Sequence, residues 1–115
     1  MRDLYCTVYL NGFGDLSRLR DVLVGLTNGQ EEGRSIRGEG LIVDPFENDA
    51  SVGNVGANEF VKWPAYLEIE PVEGSSLSLH DFASRLRGIL AGLASKNISA
   101  VPACDFEELL SNTNA

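Results

Sequence analysis

The sequence predicts an α+β fold, an antiparallel sheet covered on one face by two helices. Three observations carry this. The stretch Lys62-Trp-Pro-Ala-Tyr-Leu-Glu-Ile-Glu70 alternates: Trp63, Ala65, Leu67 and Ile69 point one way, Tyr66, Glu68 and Glu70 the other. That is the period of a strand buried on one face and wet on the other. Leu4-Tyr-Cys-Thr-Val-Tyr-Leu10 alternates in the same way. Two segments, 16–26 and 79–93, carry leucines and other apolar residues at helical spacing, the stripes needed to cover a buried sheet face.

The first strand groups Leu4, Cys6, Val8 and Leu10 on one face and Tyr5, Thr7 and Tyr9 on the other. Asn11-Gly-Phe-Gly14 breaks it. Asp15 is placed to cap the first helix, because its carboxylate can accept from the orphan N–H groups of the first turn. Leu16, Leu19, Val22, Leu23 and Leu26 form that helix's stripe, and Asn28-Gly29 stops it, with glycine as the left-handed residue. Residues 30–40 are polar and glycine-rich. A second strand is expected from about Ser35 to Val43, with Gly38 and Gly40 marking a bulge or bend. Asp44 to Glu59 reads as a long loop opened by Asp44-Pro45. The alternating strand follows, with Pro64 at its beginning or at a bulge, since proline cannot donate to a ladder. Ser78 starts the second helix, with Asp81 completing a capping-box-like pair. Leu79, Phe82, Ala83, Leu86, Ile89, Leu90 and Leu93 are its stripe, and Asn97 ends it. Ile98 to Phe106 is the last strand, with Pro102 pointing to an edge position, and Glu107 to Leu110 makes one further turn.

Strand, helix, strand, strand, helix, strand built as two right-handed units gives a ferredoxin-like βαββαβ sandwich. In that topology the first and third strands are neighbours. Tyr5, Tyr9, Tyr66, Glu68 and Glu70 then share one patch of the helix-free face. At 115 residues the chain is expected to be one domain over residues 1–110, with a frayed tail at 111–115.

Composition narrows the functions. The net charge is −8 and the pI about 4.5, so the chain repels phosphate backbones and anionic membranes. Neither a nucleic acid nor a membrane is an expected partner; a basic protein is. The hydrophobic fraction of 43% is that of a soluble globular chain. No secretion signal or membrane-length apolar run is visible, and the expected compartment is the cytoplasm.

Catalytic and metal constellations are sparse. His80 is the only histidine, and Ser75, Ser76 and Ser78 are merely local to it, not a nucleophile aimed at a base. Asp44, Glu47 and Asp49 invite a calcium reading, but the spacing lacks the glycine and glutamate of a calcium-binding loop. No cofactor or metal is expected. Cys104 lies among Asp105, Glu107 and Glu108, which disfavour a thiolate. Cys6 and Cys104 read as small buried residues that approach each other if the last strand lies beside the first, and a cytosolic pair is expected to stay reduced. Asn11-Gly-Phe-Gly14 lacks the further residues of a phosphate-binding loop. Glutamates among the exposed tyrosines argue against base stacking on an RNA.

Two stretches carry a resemblance: Trp63-Pro-Ala-Tyr-Leu-Glu-Ile-Glu70 and Val101-Pro-Ala-Cys-Asp-Phe-Glu-Glu-Leu-Leu110, the latter following a leucine-rich helix. On these the chain resembles a group of small bacterial proteins and, more loosely, the acidic immunity proteins of polymorphic toxin systems. The close likeness covers roughly the C-terminal half; the looser one implies a non-catalytic protein that neutralises a basic toxin domain by occlusion. Tyr5, Tyr9, Tyr66, Glu68 and Glu70 are the expected partner-binding residues, extended by Asp44, Glu47 and Asp49. The alternatives are a small-molecule-binding or enzymatic ferredoxin-like domain using the open sheet face, and a subunit that dimerises through it.

Overall fold

The computed structural model describes residues 4–47, 63–74, 76–104 and 106–110. The chain is α+β. A six-stranded antiparallel sheet is ordered β2-β3-β4-β5-β1-β6. Its strands are β1 (Cys6–Asn11), β2 (Gln30–Glu32), β3 (Ser35–Gly38), β4 (Leu41–Glu47), β5 (Ala65–Pro71) and β6 (Ser99–Ala103). Two helices, α1 (Leu16–Thr27) and α2 (Leu79–Ser95), pack on one face, and a short α3 (Glu107–Leu110) leans on α2 and β6.

Alternation works out as the side-chain period requires. Cys6, Val8 and Leu10 of β1 and Ala65, Leu67 and Ile69 of β5 are sealed from solvent, and so are Leu19, Leu23, Phe82, Leu86 and Leu93 of the helices. They form one cluster. Helix starts follow the capping chemistry: Arg18 N donates to Asp15 Oδ1 at 2.8 Å, and Asp81 N donates to Ser78 Oγ at 3.1 Å. Both long helices end in the same motif, a left-handed residue with two backward hydrogen bonds. In α2 that residue is Asn97 (φ 63°), with Ile98 N donating to Leu93 O and Asn97 N to Ala94 O, each at 3.0 Å.

In α1 the left-handed residue is Asn28 (φ 52°), not Gly29 as expected. Gly29 serves close approach instead. A Cβ there would strike the Arg37 carbonyl, and one on Gly38 would strike the Thr27 carbonyl. Backbone against backbone leaves nothing flexible to yield. Gly29→Ala is expected to destabilise the fold by about 1–3 kcal/mol, the usual range for overpacking. A chemical-denaturation midpoint equal to that of the parent would contradict this.

The four-strand βαββαβ order is not matched exactly: the described residues form six strands, for two reasons. Residues 35–43, expected as one bent strand, fold as a hairpin with Gly38 opposite Leu41. Its two turn residues, Glu39 (φ 55°) and Gly40 (φ 80°), are both left-handed, as a two-residue hairpin turn demands. Gln30–Glu32, expected in a polar connection, adds an edge strand against β3. A third correction concerns Asp44 to Glu47, expected to open a loop. β4 runs through them, with Asp44 opposite Glu68 and Pro45 opposite Leu67. Pairing between β3 and β4 ends at Val43, so β4 has become an edge by Pro45, where a missing N–H is tolerated. The last strand is shorter than expected: Ile98 closes the α2 cap, Cys104 lies at a bend and Phe106 is buried beyond it. The expected neighbours β1 and β5 do pair, with Tyr9 opposite Tyr66 and Thr7 opposite Glu68.

Candidate functional site

Residues alternating away from the core populate the sheet face that, among the described residues, no helix covers. Register arranges them in rows. Phe46, Tyr66, Tyr9 and Val101 lie opposite one another across β4, β5, β1 and β6. Phe46 stacks on Tyr66, with ring centroids 5.2 Å apart and planes 19° apart. Tyr66 and Tyr9 meet at 6.1 Å and 46°. All three are half-buried, and such cross-strand aromatic pairs each contribute a few tenths to about 1 kcal/mol. The row is therefore a rigid, preformed apolar bar.

The next row is acidic. Asp44 lies opposite Glu68, and Glu70 follows two residues along β5, opposite Ile42. Like charges set directly across a ladder destabilise it. The Ser35 hydroxyl donates to Asp44 Oδ1 and fixes that carboxylate. Among the described residues no lysine or arginine pairs with Asp44, Glu68 or Glu70; Arg37, on the same face, pairs with Glu32 at 3.7 Å. Of the other described arginines, Arg34 lies over the Phe46 ring at the end of the aromatic row, and four point away from the acidic row. Arg18, Arg20, Arg85 and Arg87 donate to the backbone carbonyls of Phe13, Arg34, Glu39 and Leu109. These four arginines hold backbone carbonyls, and the carboxylates of Asp44, Glu68 and Glu70 keep no ion-pair partner among the described residues.

Tyr5 precedes β1 at the acidic end and is 39% exposed. Its phenol is raised above the ordinary range. Burial is the main cause; the Thr7 hydroxyl, which donates to it at 3.4 Å, opposes the rise, and Glu68 and Glu70 add to it. Like an ordinary tyrosine, Tyr5 is protonated at neutral pH, and its phenol is engaged with Glu68.

Of the sequence-derived residues, the face collects Tyr5, Tyr9, Tyr66, Glu68, Glu70 and Asp44. Glu47 is not among them: it follows the core-side residue Pro45 by two positions and stands at the exposed end of β4. The strand that carries both acids sends them to opposite sides, so they do not form the acidic loop surface expected. Asp49 lies outside the described residues. Among those described, no group of three His, Cys, Asp or Glu side chains could hold a metal ion. His80 is exposed in the first turn of α2.

Three residues were missed. Phe46 belongs to the face because β4 runs on past Val43, where the expected strand ended, and Ile42, inside that expected strand, joins the face through pairing of β4 with β5. Arg34, in the β2–β3 turn, holds its guanidinium carbon 5.9 Å from the Phe46 ring centroid, within cation–π range. Beside it a cleft of 430 Å³ opens between Leu16 and Arg20 of α1, Arg34, Pro45, Phe46, Glu47 and Tyr66. No described helix is long and apolar enough to cross a membrane. No protein-family model, curated protein or solved structure matches the chain.

Proposed function

We propose that this chain is a non-catalytic protein-binding domain whose helix-free sheet face takes up a basic partner. Most concretely it is an acidic immunity protein of the cytoplasm that occludes a bacterial toxin domain. One observation carries the reading: a stacked aromatic bar lies against a row of carboxylates that face each other across the strands with no described cation to relieve them. A sheet optimised only for stability would not oppose Asp44 with Glu68. An arginine from a partner would stack on the Tyr66 ring while its guanidinium bridges those carboxylates, a pairing that Arg geometry favours. The architecture suits this use. We read β4-β5-β1-β6 as a ferredoxin-like core widened by the β2–β3 hairpin, with the helices supporting the sheet from behind.

Glu68→Lys combined with Glu70→Lys is expected to slow association with the partner about tenfold or more at low salt, and much less at high salt, where screening removes the steering. The partner is the protein retained by the tagged chain from its native host, and stopped-flow association at several ionic strengths is the measurement. Equal rates for the parent and the double variant at low salt would sink the reading. Self-association of the purified chain, lost in Tyr66→Ala, would instead assign the face to a homodimer.

The 430 Å³ cleft favours a second reading, a small-molecule site, because its volume lies in the range of ligand pockets. Its lining mixes two arginines, a glutamate and two aromatic rings, the mark of a planar ligand with both charges. Saturable binding of such a compound, abolished by Arg34→Ala, would support it over a protein partner.

A further inference from the structure

We propose that Cys6 and Cys104 are a redox site, a dithiol that a small-molecule disulfide of the glutathione class closes into an intrachain bridge. The bridge clamps the segment after β6 onto the sheet. Cys6 Sγ lies 3.1 Å from Cys104 Sγ. The last ladder pair of β1 and β6 sets Thr7 opposite Ala103, and Cys6 and Cys104 are the next residues beyond that pair, where the register extended by one position would oppose them. Directly opposed residues of antiparallel strands hold their Cα atoms about 4.5–5.5 Å apart, inside the span of roughly 4.4–6.8 Å that a disulfide bridges. Alternation puts Cys6 on the core side, with Val8 and Leu10.

The two thiols differ in access, and this sets the order of reaction. Cys6 is completely buried, whereas Cys104 is half-buried at a bend. Cys104 also follows an edge strand with a single neighbour, so its backbone can supply the travel that bond formation needs. The acids that follow Cys104 in the sequence keep its thiolate scarce and the step slow; the fraction that loses its proton to solvent attacks one sulfur of the small disulfide. The small disulfide's S–S bond breaks, and one thiolate leaves and takes up a proton. The Cys6 sulfur then attacks the Cys104 sulfur of the mixed disulfide, the bond from Cys104 to the small thiol breaks, and the proton given up by Cys6 ends on that departing thiolate. Two protein thiols and one small disulfide become one protein disulfide and two small thiols. The segment so tethered is already docked: Phe106 and Leu110 are buried, and Arg87 Nη1 donates to Leu109 O at 2.9 Å. The bridge would span 98 positions of chain, and closing so long a loop restrains the unfolded state strongly.

The test uses the full chain incubated with oxidised glutathione, then unfolded and alkylated for intact-mass analysis. The expected product is a monomer that takes up no alkyl group and carries no glutathione. Its thermal midpoint should exceed that of the reduced chain by about 5 °C or more. Cys6→Ser is expected to stop at the mixed disulfide on Cys104, and folded Cys104→Ser to leave Cys6 unmodified. The proposal is overturned if the oxidised parent still alkylates at both cysteines, retains glutathione on Cys104, or links only between chains. A bridged monomer that melts no higher than the reduced chain would overturn the clamp.

Discussion

Phe82→Ala is expected to destabilise the fold by about 3–5 kcal/mol, the range found when a buried aromatic is truncated. Phe82 is completely shielded from solvent in the first turn of α2. Its ring meets Phe106 edge-on, with centroids 5.7 Å apart and planes at 66°. Truncation therefore removes apolar burial, leaves a cavity beneath the helix and takes from Phe106 an aromatic partner worth about 0.5–1.5 kcal/mol beyond its area. Because Phe106 holds the segment leading into α3, the loss is expected to loosen the C-terminal end first. Domains of this size are stable by about 5–15 kcal/mol, so the variant should be markedly closer to unfolding. A denaturant titration measures it: the midpoint should fall with little change in slope. Ser84→Ala, at an exposed position on the same helix, should leave the midpoint in place. An unchanged midpoint for Phe82→Ala would mean that α2 does not pack as described.

Tyr66→Ala is expected to weaken partner binding by about 2 kcal/mol or more, roughly thirtyfold in dissociation constant. Tyr66 is the middle ring of the bar, touching Phe46 on one side and Tyr9 on the other. Its removal breaks the bar in two and deprives both neighbours of their stacking partner. A half-buried ring on an open sheet face contributes less to folding than Phe82 does, so stability should fall by only about 1 kcal/mol. An equilibrium titration against the partner, paired with a denaturation curve, separates the two effects. Binding equal to the parent's would remove Tyr66 from the interface.

The legible parts of this chain were those where one pattern governs one environment. β1 and β5 alternate because one face is core and the other is not, and the α1 and α2 stripes answer them. Asp15 and Ser78 were readable because capping is local chemistry between a side chain and its own next turn. Gln30–Glu32 was not readable: all three residues are exposed, so burial imposed no alternation, and only pairing with β3 makes it a strand. The β3–β4 turn was hidden because it places Glu39 in the left-handed region, where asparagine, aspartate or glycine is the usual signal. Pro45 misled because its fitness for a strand depends on where β3 stops pairing, which is tertiary information. The tyrosines and glutamates of the face followed from alternation plus the adjacency of β1 and β5. Phe46 was lost because it fell in the expected loop, Ile42 because its strand's neighbours were not fixed by the pattern, and Glu47 was assigned to a loop surface that β4 replaces. The approach of Cys6 to Cys104 required knowing that β6 lies beside β1.

The central claim is that the helix-free face is the binding surface, and the chain's own tyrosines report on it. All three tyrosines in the sequence, Tyr5, Tyr9 and Tyr66, belong to that face. The most direct measurement is tyrosine-directed nitration of the free chain and of its complex with the co-purifying partner, read residue by residue by mass spectrometry. Tyr9 and Tyr66 are expected to be nitrated at least about tenfold more slowly in the complex, as for aromatic anchors desolvated at the centre of an interface. Unchanged nitration of both, together with protection of Lys96 on the helix layer from amine-directed labelling, would place the partner on the opposite side and contradict the account.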